Sequence, residues 1–394
     1  MTRTNLESWI EKTEGFNSLT RENLEVLQLR RLNELLCRER ARNGLYKSLP
    51  EKINSLRELE NLPFTTAQEL SQSGGALLLT SQSEVQRIIS GATSGTTGPA
   101  KRVFYTAADL AQTVGFFAAG ISEFAGTGDR VMITMPFSGP YGLGELIAEA
   151  VENLDARPIR AGIGLTLGEY AGIMDTERPD CFIGTAANLL GILRYAGRKS
   201  LKFALISGDA CPDGVVEEIE KILGARLFPH YGSRECGLGG AVTCQAHEGM
   251  HIRENHIIAE IVSPDGNPLP DGEWGELVIT TIGQEAQPLL RYKTGDRSRI
   301  LPAACPCGGV TKRLDSVRRL SPRENKIASL DDKIFRLPGL IDWSLKSGKA
   351  IALCTPQADI SAVKNEISSL TGAKVTARQA RPDSKFLYSA KRML

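Results

Sequence analysis

Histidine is scarce in this 394-residue chain: there are four, His230, His247, His251 and His256, and all fall in one short window. Cysteine is sparse too, with eight residues over this length, too few for a disulfide scaffold. Neither charge sign dominates. Forty-seven Lys and Arg face 46 Asp and Glu, for a formal charge of +1, which removes any broad electrostatic case for nucleic acid or an anionic membrane. No apolar run approaches the ~20 residues needed to span a bilayer. The start, Met1-Thr2-Arg3-Thr4-Asn5-Leu6-Glu7, has no apolar core like that of a signal peptide. Internal repeats, low-complexity tracts and long linkers are missing. The expectation is a cytoplasmic protein with no nucleic-acid or membrane partner. Hydrophobic residues at 41% and charged residues at 24% suit an ordinary folded protein, and the length exceeds a usual single domain.

What is there begins with Ser90-Gly91-Ala92-Thr93-Ser94-Gly95-Thr96-Thr97-Gly98-Pro99-Ala100-Lys101, after the strand-like Val85-Gln86-Arg87-Ile88-Ile89. Glycine lets backbone amides approach an anion. Ser and Thr hydroxyls donate to phosphate oxygens, and Lys adds a point charge. The spacing is not that of a Walker A loop. A polyphosphate cradle and a plain surface loop both fit this run taken alone.

Residues 5–42 are helical in pattern, with Leu24, Leu27, Leu29, Leu32, Leu35 and Leu36 near helical spacing. Residues 61–66 are an extended link before a helix over 107–120. Strand-like runs at 130–135, 157–159, 180–184 and 203–208 then alternate with helix-like runs at 143–152, 187–195 and 214–223. That alternation predicts a largely parallel sheet. After about residue 249, runs at 256–262 and 275–281 around the turn Pro264-Asp265-Gly266-Asn267 predict antiparallel strands. A small α+β tail starts near 320, with a helix at 360–370.

Tyr231-Gly232-Ser233-Arg234-Glu235 follows the strand-like Arg226-Leu227-Phe228-Pro229. Ligands of α/β sheets collect beyond the carboxyl ends of strands. An aromatic ring there stacks on a purine, and a carboxylate holds Mg²⁺ against phosphates; a loop with an exposed Glu fits this segment equally. In Arg291-Tyr292-Lys293-Thr294-Gly295-Asp296 a carboxylate in a glycine turn is placed to accept both hydroxyls of a ribose. Cys244-Gln245-Ala246-His247 and Cys305-Pro306-Cys307 form two half-sites, and thiolates with an imidazole suit structural Zn²⁺. His251 or Cys236 is an alternative to one of these ligands, and buried free thiols are the reading without metal. Cys37, Cys181, Cys211 and Cys354 are scattered and read as buried small hydrophobes.

Taken in order, these segments resemble the AMP-forming, adenylate-forming ligases, and most of all the phenylacetate–CoA ligase and coenzyme F390 synthetase branch. The likeness spans roughly residues 25–320 and includes a leader at Leu29-Arg30-Arg31-Leu32 and Leu62-Pro63-Phe64-Thr65-Thr66. It implies an α/β fold: a multi-lobed domain over 1–319 with mixed, largely parallel sheets, a zinc-stabilised β-rich part at about 240–310, and a small mobile α+β domain over 320–394. Carried over by position, Ser94, Gly95, Thr96, Thr97, Gly98 and Lys101 match the phosphate loop. Gly208, Asp209 and Ala210 match the turn along adenine, Tyr231 and Gly232 the adenine-stacking segment, Glu235 the Mg²⁺ ligand and Asp296 the ribose ligand. The segment 136–144 matches a wall of the carboxylate pocket. Lys391, near the end of the chain, resembles the adenylation lysine. The set Cys244, His247, Cys305 and Cys307 recurs in the branch as a zinc site.

The resemblance implies ATP/AMP, Mg²⁺, CoA and structural Zn²⁺, a carboxylic acid of aromatic type as substrate, an acyl-adenylate intermediate and CoA as acceptor. A homodimer is also expected. Other acceptors (a carrier-protein thiol, an amine, a phenolic hydroxyl taking AMP) and a degenerate nucleotide-binding protein are the alternatives. Two departures stand out. Arg234 replaces the usual hydroxyl residue before the acidic one, and Arg313-Leu314-Asp315-Ser316-Val317-Arg318-Arg319 lacks the usual Gly-Arg-x-Asp-Asp hinge.

Overall fold

In a computed structural model of the chain, residues 2–41, 46, 48–91, 101–209 and 211–387 are described. The sequence-predicted phosphate-loop residues Ser94, Gly95, Thr96, Thr97 and Gly98, together with Ala210 and Lys391, lie outside them. The secondary structure is mixed α/β, as expected. The residues group into two compact units, one of 1–123 with 230–320, the other of 124–229 with 321–394.

The first unit opens on the helix Asn5–Glu14, whose first turn is capped by Thr4 and whose end is marked by Gly15 at φ 73°. The helix Arg21–Ala41 buries Leu24, Leu27, Leu32, Leu35 and Leu36, the periodic stripe seen in the sequence, while Leu29 stays half-buried. Strands Val85–Gly91 and Lys101–Thr106 pair antiparallel, with Gly91 opposite Lys101. Thr106 and Asp109 then start the helix Ala107–Ile121 with a reciprocal cap. The antiparallel texture predicted after 249 is realised in the order Ile257–Val262, Gly275–Thr281, Tyr292–Ser298, Arg318–Arg319. A second antiparallel ladder joins the last two residues of Phe228–Tyr231 to Ala241–Thr243, Met250–Ile252 and Arg313–Leu314.

The second unit holds the predicted parallel sheet. Arg157–Arg160, Arg130–Ile133, Cys181–Gly184, Phe203–Ile206 and the start of Phe228–Tyr231 lie side by side in that order. Crossover helices Leu143–Glu152, Ala186–Ala196 and Asp213–Leu223 connect them. The same unit contains a three-stranded sheet, Leu340–Lys346, Lys349–Cys354 and Lys374–Gln379, with helix Ile360–Thr371 crossing between its two parallel strands.

The described residues 321–387 group with 124–229 in one compact unit. The physical reason is a shared core. Met132, Phe182, Leu189, Leu190 and Ile219 pack in one cluster with Ile334, Trp343 and Ile367, and Gly191 leaves room for the ring of Phe386. Of the scattered thiols, Cys181 and Cys354 are buried as expected, whereas Cys37 is exposed and Cys211 only half-buried.

Candidate active site

Tyr231, Gly232 and Glu235 sit where the strand Phe228–Tyr231 ends. Gly232 is required there by space, because a Cβ would strike the backbone carbonyl of Leu238. The chain turns back at once through the short helical turn Arg234–Cys236. Backbone N–H of Ser233 donates to Cys236 Sγ at 3.0 Å, and Gly237 leaves at φ 69°. Tyr105 on the neighbouring hairpin donates to the carbonyl of Arg234. The turn presents Glu235 inward, 5% exposed.

Lys101, the first residue of its strand, ion-pairs with Glu235 Oε1. Its ammonium also donates to Tyr292 Oη at 3.0 Å, and Tyr292 donates in turn to Glu235 Oε1 at 3.3 Å. Burial alone pushes the Glu235 carboxyl up; the Lys101 ammonium outweighs it and holds the group below its ordinary 4.5. Burial, then the Glu235 charge, raise the Tyr292 phenol, which stays a donor.

Asp296 is the other buried carboxylate, 5% exposed. Gly295, at φ 72°, makes the local reversal that the Thr-Gly-Asp sequence needs. The Thr294 hydroxyl accepts the Asp296 N–H at 3.0 Å while donating to the Leu277 carbonyl. Tyr231 donates to Asp296 Oδ2 at 2.9 Å, and Arg319 Nη1 lies 3.0 Å from Oδ1. Burial and then the Asp296 charge hold the Tyr231 phenol protonated.

In the other unit, Gly208 follows the strand Phe203–Ile206 with φ 85°, and Gly208 and Asp209 are exposed at the strand's carboxyl end. The segment 136–144 is a tight loop closed by Gly144 N–H on the Pro136 carbonyl at 2.9 Å, with Phe137 packed against Gly144.

The thiol cluster departs from the expected ligand set. Cys244, Cys305 and Cys307 are gathered, but the imidazole among them is His251, the alternative weighed above, and not His247. The four ligand atoms lie within 4.8 Å of one another and all four residues are buried. His247 closes the turn after Cys244 at φ 52°, is half-buried and is not among the gathered ligand atoms. His251 stands in the ladder opposite Arg313 and points its ring into the cluster. The Cys236 thiol is engaged by Ser233 instead. Cys244 Sγ and Cys305 Sγ are 3.7 Å apart, and His251 Nε2 is 3.3 and 3.5 Å from the sulfurs of Cys305 and Cys307. A tetrahedral zinc with its usual bond lengths sets sulfurs roughly 3.8 Å apart, so three thiolates and one imidazole fit that ion.

Residues 92–284 match the family profile described as AMP-binding enzyme. The chain is 31% identical over 322 residues to the phenylacetate–coenzyme A ligase of Thermus thermophilus, covering 76% of this chain and 71% of that one. It is 30% identical over 336 residues to the phenylacetate–coenzyme A ligase of Escherichia coli, covering 80% and 74%. The chain belongs to the phenylacetate–coenzyme A ligase branch of the AMP-binding enzymes. Its fold is similar to that of 2-hydroxyisobutyryl-CoA ligase in the postadenylation state in complex with R3-HIB-AMP. The TM-score is 0.75 at 16% identity, over 95% of this chain and 90% of that one.

Sequence reasoning in this family paired Lys101 and Glu235 with nucleotide chemistry but missed Tyr292, which links them. Tyr292 lies in the same short run as Asp296, but nothing in that run marks its hydroxyl as the link. Arg319 carried no signal as a partner of Asp296; it was visible only as part of an irregular hinge.

Proposed function

We propose that the chain activates a carboxylic acid with ATP and passes the acyl group to CoA, as an AMP-forming acid–thiol ligase. The observation that carries this reading is the pair of buried carboxylates within one unit: Glu235 held by Lys101 and Tyr292, and Asp296 held by Tyr231 and Arg319. A carboxylate oxygen of the acid bonds to the α-phosphorus of ATP as the bond to the bridging oxygen breaks and pyrophosphate leaves. A thiolate of CoA then attacks the acyl carbonyl, and AMP departs.

Little covalent work falls to the protein. Its task is to position reactants and neutralise developing charge. In this reading Ser94, Gly95, Thr96, Thr97 and Gly98 hold the phosphates, Tyr231 is the adenine-stacking residue, Gly208, Asp209 and Ala210 are the adenine turn, and Asp296 accepts the ribose hydroxyls. Lys391 is the adenylation lysine. An aromatic acid is the substrate we assign.

Glu235 is a hard oxygen donor suited to Mg²⁺, which when bound neutralises phosphate charge. The Cys244, His251, Cys305 and Cys307 set would hold Zn²⁺ as a structural, closed site. A reducing cytoplasm keeps such thiolates available. Among the described residues no helix is long and apolar enough to cross a membrane. A homodimer stays part of the proposal, and light scattering tests it.

The experiment is acid-dependent ATP–pyrophosphate exchange over a panel of aryl and alkyl acids, repeated with CoA to follow AMP and thioester. Exchange with thioester formation supports the reading. Exchange without thioester moves the acceptor elsewhere, and no exchange with any acid overturns adenylation.

A further inference from the structure

Arg234 directly precedes Glu235 in the acidic motif, and its surroundings give it a role. It sits beside the root of the glycine-rich run. Gly91 is the last described residue before that run. A Cβ on Gly91 would collide with Arg234 Nη1 and come within 2.8 Å of Cζ and 3.2 Å of Nη2. The guanidinium therefore lies against the Gly91 backbone. Gly91 does not have a left-handed φ, and its close neighbour is the flexible end of Arg234, so a side chain there would displace the guanidinium and not the backbone. The backbone at 234 is fixed as well, by the Tyr105 hydroxyl on its carbonyl and by the closed turn around Cys236.

The charge balance is the next point. Lys101 already matches Glu235. The half-buried Arg234 guanidinium makes no hydrogen bond or ion pair with any described residue, and reaches Glu235 only as a through-space charge. Arg87 adds another positive charge from the same face of the strand as Gly91, with its Nη1 buried and unpartnered. Beside a carboxylate that Lys101 already neutralises, the Arg234 guanidinium is in excess. A guanidinium forks onto phosphate oxygens with two parallel donors, which a hydroxyl at this position does not.

We infer that Arg234 binds the phosphoryl groups of ATP that leave as pyrophosphate, as a substrate-binding residue. The inference rests on the ligase reading above. As the α-phosphorus bond breaks, negative charge accumulates on the departing bridge oxygen, and a fixed guanidinium beside it stabilises that charge.

The test measures binding of ATP, pyrophosphate and AMP, each with Mg²⁺, by calorimetry on the full chain. Arg234→Thr is expected to weaken ATP and pyrophosphate by about tenfold or more, the scale of a lost charged hydrogen bond, and to leave AMP unchanged. Arg234→Lys recovers only part, since an ammonium does not fork. Gly91→Ala, which displaces the guanidinium without removing it, reproduces the loss, and adding it to Arg234→Thr costs nothing further. Should Arg234→Thr not fold, Gly91→Ala alone carries the test.

Unchanged affinities in both variants overturn the inference. So does an equal loss for all three ligands. A wild-type chain that binds none of the three overturns the ligase reading itself and the inference with it. Wild-type binding with indifferent variants overturns the inference alone.

Discussion

Tyr231 donates to one oxygen of Asp296 at 2.9 Å while Arg319 sits 3.0 Å from the other. Arg319 comes from the strand paired with that of Asp296, and Tyr231 from the end of a strand in another sheet. Arg319 stands directly opposite Asp296 in register, two residues before the chain enters its second unit. The carboxylate is thus oriented by a phenol and a guanidinium before any nucleotide arrives. Asp296→Ala should lower AMP affinity by about tenfold to a hundredfold, the range for hydrogen bonds to a charged group. Tyr231→Phe keeps the ring and loses only the orienting donor, so about a fivefold loss is expected from one net hydrogen bond. Calorimetry with AMP reads both. Wild-type affinity in Asp296→Ala would remove the ribose assignment.

Lys101 and Glu235 make a buried pair, and the asymmetry of such pairs sets the next expectation. Glu235→Ala leaves the Lys101 ammonium uncompensated, at a cost of about 3–5 kcal/mol. Lys101→Met with Glu235→Leu should recover most of that stability in urea melts while pyrophosphate exchange stays abolished. The pH dependence follows from the lowered Glu235 carboxyl. Its contribution is present above the unfolded value of about 4.5 and is lost as the pH falls through the folded one. A double variant as unstable as Glu235→Ala would count against the pair as the source of the loss.

Much of the fold was legible because periodicity reports burial. The alternation of strand-like and helix-like runs from 130 to 223 gave the parallel sheet, and the stripe from Leu24 to Leu36 gave the second helix. Grouping was not legible. That Trp343 and Ile367 share a core with Phe182 is a long-range packing fact with no local signature. The site divides along the same line. Lys101, Tyr231, Glu235 and Asp296 sit in short motifs, and the structure brings Lys101 to Glu235 and Tyr231 to Asp296. Tyr292 acts through its position in a strand, where spacing says nothing of where a hydroxyl points.

His230 supplies an acid-side test. It packs against Phe116 at 5.6 Å and Phe117 at 5.8 Å between ring centres. Burial lowers its pKa from 6.5 to about 4. The folded chain holds it neutral while the unfolded chain takes a proton below pH 6.5. Its contribution is therefore full above pH 6.5 and declines from there down to about pH 4. His230→Phe keeps the aromatic packing and removes the titration, so the fall in stability over that interval should flatten. Urea midpoints at pH 7 and pH 4.5 decide it. Parallel slopes in the two proteins would show that other groups carry the effect.

Gly232→Ala is expected to damage the acidic motif by space alone, since the new Cβ meets a backbone carbonyl and not a flexible side-chain end. Overpacking of this kind costs about 1–3 kcal/mol. The displaced turn carries Glu235 away from Lys101, so exchange activity should fall further than stability does. Normal exchange in a folded Gly232→Ala protein would show that the turn tolerates the shift.

The thiol cluster is tied to the first helix through a relay that fixes which ring nitrogen of His251 faces the sulfurs. Thr311 spends both its donors on Glu7 Oε1, the N–H at 2.6 Å and the hydroxyl at 2.8 Å. Its hydroxyl oxygen, 2.8 Å from His251 Nδ1, is left to accept. Nδ1 must therefore carry the proton, which leaves the Nε2 lone pair directed at Cys305 and Cys307. Outer partners of this kind typically change metal affinity by about 10–100-fold when removed. Thr311→Val should weaken zinc by that factor in a competition titration against a chelator. His251→Ala should lose the metal outright, and His247→Ala should keep it at the wild-type level. Retained zinc in His251→Ala with loss in His247→Ala would reverse the ligand assignment, and equal affinity in Thr311→Val would break the relay while leaving the four ligands in place.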